Sequence, residues 1–210
     1  MIYIVMKRFI DITFSSILLL FLFPAMSIIA CLIKLTSRGP VIYKGERSGR
    51  FNTTFMILKF RTMVSEAEQL GGPSTALNDP RITSIGRFLR STKLDELPQL
   101  INVIKGEMSL VGPRPQVLYY TKKYTDEEIL ILSMRPGVTD LASLVYYDMD
   151  TVLGNTNVDK KYETEVEPLK NKLRVKYVKE ASFMLDIRIL IETFFGVLGI
   201  RNTTGLMTNL

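Results

Sequence analysis

Residues 7–34 read KRFIDITFSSILLLFLFPAMSIIACLIK, and the way this segment sits decides what kind of fold the chain can have. From Phe9 to Ile33 it is almost wholly apolar, interrupted mainly by Asp11, Thr13, Ser15, Ser16, Pro24 and Ser27. A helix of about 20 apolar residues spans a bilayer core, so the segment is long enough. Its Leu, Ile and Phe side chains contribute roughly 7 kcal/mol toward insertion, against about 3 kcal/mol for Asp11 even at the bilayer centre. A core helix of a soluble domain is the competing reading, disfavoured because the segment is apolar on every face. Lys7 and Arg8 precede the segment while Lys34 and Arg38 follow it, so the positive-inside rule draws both ends to one side. Pro24 removes a helix hydrogen bond and costs roughly 3 kcal/mol in an unkinked helix. A bent, re-entrant helix that enters and leaves through the cytoplasmic leaflet satisfies both observations. A cleaved signal peptide would use Ile28-Ile29-Ala30-Cys31 as a lipoprotein-like site, but the apolar run exceeds a signal core and continues past Cys31.

Composition limits the chemistry. The chain of 210 residues has no His, no Trp and one Cys, which excludes His acid–base catalysis, a Ser-His-Asp triad and a His/Cys zinc site. Any chemistry must come from Asp, Glu, Lys, Arg or Tyr. Cys31 alone allows no intrachain disulfide, in keeping with a reducing setting. A net charge of +6 points to anionic partners: nucleic acid, phosphorylated small molecules or an anionic membrane surface.

The chemical centre is residues 94–115, LDELPQLINVIKGEMSLVGPRP. Leu94, Leu97, Leu100, Ile101 and Ile104 have helical spacing, and Gly106 supplies a stop. Pro98 is tolerable only in the first turn. Asp95 and Glu96 therefore fall at a helix start, where free N–H groups and the helix dipole suit carboxylates and bound phosphates. Taken alone, Asp95 reads equally well as a cap.

Upstream, Gly39-Pro40-Val41-Ile42-Tyr43, Glu46-Arg47-Ser48-Gly49-Arg50 and 55–63 (FMILKFRTM) read as strand, turn and strand. Lys59 and Arg61 alternate with Leu58 and Phe60, so both cations are expected on one sheet face, toward a common pocket. The plainer reading is a solvated basic edge. Residues 65–80, with Gly71, Gly72, Pro73 and Pro80, read as a loop or lid, and 81–90 as a basic helix that ends in Arg90.

These blocks, in this order, resemble the bacterial sugar transferase family, the monotopic phosphoglycosyl transferases that start glycan assembly on polyprenyl phosphate. The resemblance runs from Lys7 to about Leu198. It is carried by Lys7-Arg8 with Asp11, Pro24, Gly39-Pro40-Val41, Lys59-Phe60-Arg61-Thr62-Met63, Leu94-Asp95-Glu96-Leu97-Pro98-Gln99-Leu100 and Val111-Gly112-Pro113-Arg114-Pro115. It implies that Asp95 attacks the phosphorus next to the sugar in a nucleotide diphosphate sugar, expelling the nucleoside monophosphate. The lipid phosphate then takes the phosphosugar, while Glu96 holds Mg2+. The chemistry is consistent: carboxylates serve as covalent nucleophiles, and hard divalent ions prefer carboxylate and phosphate oxygens. Adjacent carboxylates repel, so cations and a metal are needed to keep Asp95 ionised. Lys59, Arg61, Arg90 and Arg114 form the expected phosphate-binding set, since phosphoryl transfer is catalysed largely by positioning and charge. The partners implied are a nucleotide sugar, expected to be UDP-linked, polyprenyl phosphate and inner-membrane lipids, at the bacterial cytoplasmic membrane with the catalytic domain facing the cytoplasm.

Some positions depart from the family. Phe23 stands where many members carry Ser before the proline, leaving Ser27 or Thr13 to support a bend. After Arg135-Pro136-Gly137-Val138-Thr139, the chain continues Asp140-Leu141-Ala142-Ser143 rather than with Gly, and has Tyr146-Tyr147-Asp148 where others have an Asn-Gly-Arg run. No multi-span domain precedes the segment, so the expectation is a minimal catalytic unit. Residues 160–179 read as a basic amphipathic helix and 182–200 as a more apolar one broken by Asp186, Arg188 and Glu192, either interfacial or part of the core. The expected fold is α+β: a mostly helical monotopic membrane protein with a re-entrant helix in residues 1–38, a small β element, a catalytic domain over 39–201 with interfacial amphipathic helices, and a tail at 202–210. A non-catalytic membrane anchor or interaction subunit of the same fold is the alternative. A nucleic-acid binder is disfavoured by the apolar segment and the lack of a binding motif. Homo-oligomerisation is left open.

Overall fold

The structure, a computed structural model, describes residues 2–70, 75, 79–146, 152–154 and 156–200. Gly71-Gly72-Pro73 of the expected loop, Tyr147 and Asp148, and the expected tail at 202–210 lie outside these residues. The described part is mostly helical with two small sheets.

The apolar segment forms one continuous helix, α1 (Ile2–Thr36), roughly 50 Å long at the rise of an α-helix. It does not stand away from the rest of the chain. Asp11, Ser15, Ile29 and Ile33 are buried, and Leu19 and Met26 between them pack against the core, so one stripe at helical spacing lies along the folded unit. The opposite face is bare: Phe9, Leu20, Phe21 and Phe23 are about 70–75% exposed in a helix that soluble packing would cover. Pro24 lies inside the helix. One turn on, the Ser27 hydroxyl donates to Phe23 O at 2.9 Å, a back-bond of the kind that bends helices.

Both ends of α1 are fastened by polar contacts. Near the start, Lys7 Nζ and the Tyr3 hydroxyl donate to Asp186 Oδ2 at 2.6 and 2.8 Å, and Arg8 donates to Val103 O and Ile104 O at 2.7 and 2.9 Å. Asp11 Oδ1 accepts from Leu110 N at 3.0 Å. Lys7, Arg8 and Asp11 are thus clamps to the domain. Near the other end, Arg61 donates to Ser37 O at 2.9 Å, to Ser37 Oγ at 2.7 Å and to Arg38 O at 2.5 Å. Gly39, with φ +118°, follows at once, and a Cβ there would lie 1.9 Å from Arg61 Nη1.

Strands β1 (Ile42–Ser48) and β2 (Thr54–Phe60) form the expected antiparallel hairpin, with Tyr43 opposite Lys59. Helix α2 (Ser84–Ser91) is capped by the Thr83 hydroxyl, which accepts from Gly86 N at 3.0 Å. A 3₁₀ turn (Leu94–Glu96) leads into α3 (Gln99–Lys105), which Gly106 stops at φ +88°. The helix expected from Leu94 thus begins later, with Pro98 before its first turn, so Asp95 is not its cap. Strand β3 (Ser109–Val111) pairs in parallel with β4 (Gly137–Thr139). The remaining helices are α4 (Leu118–Thr121), α5 (Leu141–Val145), α6 (Val158–Lys161), α7 (Glu167–Glu180) and α8 (Phe183–Val197).

The main core joins Phe55 and Ile57 of β2 to Leu100 and Val103 of α3, Leu110 and Val111 of β3, and Tyr177 and Ile189 of α7 and α8. A second cluster packs Ile29 and Ile33 of α1 on Phe60 and Leu89.

The helix expected over 160–179 differs from its expectation. A π turn, Tyr162–Val166, separates α6 from α7, and α7 buries Glu167, Lys170, Asn171 and Arg174. These recur at i, i+3, i+4 and i+7, so the inward face of α7 is polar over its first two turns, and with Val175 and Tyr177 also buried the helix belongs to the core rather than to an interface. On α8, Asp186 and Ile189 are buried while Met184, Ile191 and Phe194 are at least half exposed.

Candidate active site

Three elements converge. β2 delivers Lys59, the 3₁₀ turn delivers Asp95 and Glu96, and the turn after β3 delivers Arg114. Asn102 of α3 sets their spacing: its Oδ1 accepts from Leu58 N at 3.0 Å and its Nδ2 donates to Met56 O at 2.8 Å. That stitch fixes β2 against the helix which follows Asp95-Glu96. Arg114 is held through its backbone, whose N–H donates to Asp140 Oδ2 at 3.0 Å, and through Nη1, which reaches Val138 O at 3.1 Å.

Glu96 is the hub. Lys59 Nζ donates to Oε1 at 2.9 Å, Arg114 Nη1 donates to Oε2 at 3.0 Å, and Nη2 donates to Oε1. The guanidinium therefore grips the carboxylate with both nitrogens. Burial alone would raise the Glu96 pKa, but Arg114 and Lys59 outweigh it and hold the group well below the usual carboxylate range. The side chains of Lys59 and Arg114 stay 22% and 26% exposed, so both keep an open side for a further anion.

Asp95 is different. It is 7% exposed, and its carboxylate makes no hydrogen bond among the described residues. Burial raises its pKa, and the neighbouring Glu96 charge adds to that, while Lys59, Arg90 and Arg114 pull the other way. The result is a buried carboxylate without a hydrogen-bond partner among the described residues, among cations that keep it from being left wholly uncompensated.

Of the expected phosphate set, Lys59, Arg90 and Arg114 come together around Asp95 and Glu96. Arg61 does not. β2 ends at Phe60, Arg61 N pairs with Val41 O, and the guanidinium turns to Ser37 and Arg38, so the common pocket expected for Lys59 and Arg61 does not form.

Sequence reading missed the support behind Arg114. Arg174 Nη1 lies 3.1 Å from Glu167 and Nε lies 3.5 Å from Asp140, while Asp140 Oδ1 accepts from Ser143 N at 2.6 Å. Glu167 Oε2 also accepts from Gln116 and Tyr162, at 2.6 and 2.7 Å. Asp140 thus couples the Arg114 backbone to α7. Lys170, 7% exposed in the same cluster, has no hydrogen bond among the described residues; burial and the Arg174 charge bring its pKa down to about 7. Gln99 is fully buried with both amide atoms unpaired. The available signal was spacing: Glu167, Lys170, Asn171 and Arg174 fall on one helix face.

No cluster of three or more carboxylate, His or Cys side chains that could hold a metal occurs among the described residues. A Mg2+ ion uses one or two carboxylates and takes its other ligands from phosphates and water. Adjacent Asp95 and Glu96 fit that requirement, with the Asp95 oxygens uncommitted.

A short turn thus presents two adjacent carboxylates, one of them gripped by an Arg and a Lys, beside a long apolar helix, an arrangement suited to binding phosphate groups. The chain belongs to the bacterial sugar transferase family, whose model matches residues 2–199. It is 37% identical over 194 residues to the UDP-glucose:undecaprenyl-phosphate glucose-1-phosphate transferase of Escherichia coli K12, covering 90% of this chain and 39% of that protein. It is 43% identical over 125 residues to a putative undecaprenyl-phosphate N-acetylgalactosaminyl 1-phosphate transferase of Bacillus subtilis, covering 60% of this chain and 70% of that one. An Aeromonas hydrophila UDP-N-acetylgalactosamine-undecaprenyl-phosphate N-acetylgalactosaminephosphotransferase is 34% identical over 203 residues, covering 94% of this chain and 44% of its own. The chain thus spans about two-fifths of the E. coli and A. hydrophila proteins.

Proposed function

We propose that the chain transfers a phosphosugar from a UDP-sugar to a polyprenyl phosphate at the cytoplasmic face of the bacterial inner membrane. The observation that carries this reading is the buried, unpartnered Asp95 carboxylate beside a Glu96 that Lys59 and Arg114 hold. The names of the related proteins, each an undecaprenyl-phosphate sugar-phosphate transferase, support it.

In the first step an Asp95 oxygen attacks the phosphorus bonded to the sugar. The bond from that phosphorus to the bridging oxygen breaks, and the nucleoside monophosphate leaves with the electron pair. Lys59 and Arg114, already aimed at one point, bind the phosphate oxygens on which charge accumulates. In the second step an oxygen of the lipid phosphate attacks the same phosphorus and the Asp95 carboxylate departs, leaving the sugar on a lipid diphosphate. Glu96 and Asp95 would hold Mg2+, which supplies charge neutralisation at the diphosphate when bound.

In this reading α1 enters the membrane from the cytoplasmic side and returns, with its bare face and that of α8 toward lipid. That seat brings Asp95 to the level of the lipid phosphate, while the soluble donor arrives from the cytoplasm.

The test is nucleoside monophosphate release from a panel of UDP-sugars, with Mg2+ and polyprenyl phosphate, comparing the chain with Asp95→Asn. The expected result is release by the parent alone, with a phosphosugar captured on Asp95 by mass spectrometry. Equal release by the variant would remove Asp95 as the nucleophile.

A further inference from the structure

A second basic cavity lies at the other end of α3 from Asp95, and the catalytic proposal does not use it. It is lined by Lys7, Arg8 and Asp11 of α1, Arg50 of the hairpin turn, Ser109 of β3 and Arg135 before β4. Within it, Lys7 is neutralised by Asp186, and Arg8 spends both terminal nitrogens on the α3 carbonyls. Arg50 and Arg135 are not spent. Each bonds the fold only through Nε, to Ser133 O and to Gly106 O at 2.9 Å, and their terminal nitrogens have no hydrogen-bond partner among the described residues. The Ser109 hydroxyl, on a residue only 1% exposed, has no hydrogen-bond partner at ordinary distance among the described residues, with the Asp11 carboxylate, itself held by Leu110 N, as its neighbour. Two guanidinium forks and a buried hydroxyl therefore face one cavity with nothing to bind, an arrangement that suits phosphate oxygens.

The rim identifies the source of the phosphate. Ile4 and Met134 also line the cavity, and the bare face of α1 continues from it through Val5 and Phe9, 65% and 72% exposed. Phe51 at the hairpin tip, 69% exposed and with φ +55°, lies under the Arg50 guanidinium at 4.4 Å. Cations thus form a layer directly above an apolar one, as in a site at headgroup depth.

We propose that Arg50, Arg135 and Ser109 form a binding site for the headgroup phosphate of an anionic glycerophospholipid, with its acyl chains along α1. The site is separate from the Asp95 chemistry and rests only on the reading that α1 lies in the membrane.

The experiment uses the full chain. Flotation on phosphatidylcholine vesicles first tests the membrane seat; native mass spectrometry from detergent then measures retention of phosphatidylglycerol against phosphatidylcholine. The expected result is one retained phosphatidylglycerol per chain, with Arg50→Gln and Arg135→Gln each weakening binding about fivefold, the effect of one interfacial cation. Arg135→Lys, which keeps the charge and guards against misfolding as the cause, is expected to retain more lipid than Arg135→Gln. Inorganic phosphate at equal concentration is expected not to compete, since it lacks the acyl contribution. Flotation without a preference for phosphatidylglycerol, or with variants that bind like the parent, would overturn the site while leaving the membrane seat intact. Absence of flotation would overturn both, and neither outcome bears on Asp95, because no turnover is measured.

Discussion

At Asp95 the competing effects set a pH dependence. Burial and the Glu96 charge raise its pKa above the ordinary carboxylate value, while Lys59, Arg90 and Arg114 limit the rise. A nucleophile must be ionised, so activity is lost as pH falls through that raised value, and the acid limb of kcat/KM is expected at higher pH than an ordinary aspartate would give. Removing a cation raises the pKa further, so Arg90→Gln is expected to move the limb toward neutral pH; a limb that moves down, or not at all, would show that Arg90 does not reach Asp95. Arg61 gives the opposite kind of prediction. Its nitrogens satisfy the Ser37 and Arg38 carbonyls, and leaving such groups unpaired costs roughly 1–3 kcal/mol. Arg61→Met is expected to lower the denaturation midpoint and leave the donor KM unchanged; a raised KM with an unchanged midpoint would return Arg61 to the phosphate set. Asp95, Glu96 and Arg114 were legible because their residue types and spacing carry chemistry. The fate of Arg61 was not, because strand alternation predicts a face only as far as the strand continues, and β2 stops one residue short.

Among the elements, α7 shows why charge patterns mislead. A helix rich in Lys and Glu reads as well for an interface as for the core, and nothing local says that Asp140 and Arg114 wait on its inner side. The hairpin, by contrast, was legible from its turn residues and alternation, and the stop of α3 from Gly106. Burying Lys170 has a measurable consequence. Its pKa falls from 10.5 to about 7, with Arg174 and Arg114 disfavouring the charge and Asp140 and Glu167 only partly offsetting them. Between those pH values the unfolded chain binds the proton and the folded chain does not, so stability rises with pH across that window. Below it the native state carries the full cost of a buried charge. Lys170→Met keeps the aliphatic stem and removes the amine, so the variant is expected to be more stable than the parent at about pH 6, with the gap narrowing toward about pH 10. Thermal midpoints at several pH values check this, and a gap that does not change with pH would mean that Lys170 keeps its proton in the folded chain as it does in the unfolded one.

On the scale of the whole molecule, the question is how a helix long enough to cross a bilayer stays attached to one folded unit at both ends. Lys7 and Tyr3 are tied to Asp186, and the chain leaving α1 is tied to Arg61. A helix that crossed the membrane would place one of these clamps on the far side and leave its buried charges without partners, at several kcal/mol for each charge. The proposed insertion from one side would keep both clamps and would still cover Leu20, Phe21 and Phe23 with lipid. The flanking cations in the sequence predict the same seat, and in the fold Lys7 and Arg8 are held by Asp186 and by α3 carbonyls. Cys31 is the chain's single cysteine, so a Cys31→Ser background permits a direct test. New cysteines at Ile2, Phe21 and Arg38 would be challenged with a membrane-impermeant maleimide in intact cells and after permeabilisation. One-sided insertion predicts no labelling at any position in intact cells, labelling at Ile2 and Arg38 once the cytoplasm is opened, and continued protection at Phe21 within the lipid. Labelling of one end from outside would establish a span and require one of the two clamps to be broken in the membrane, which the loss of stability in Asp186→Asn or Arg61→Met would then identify.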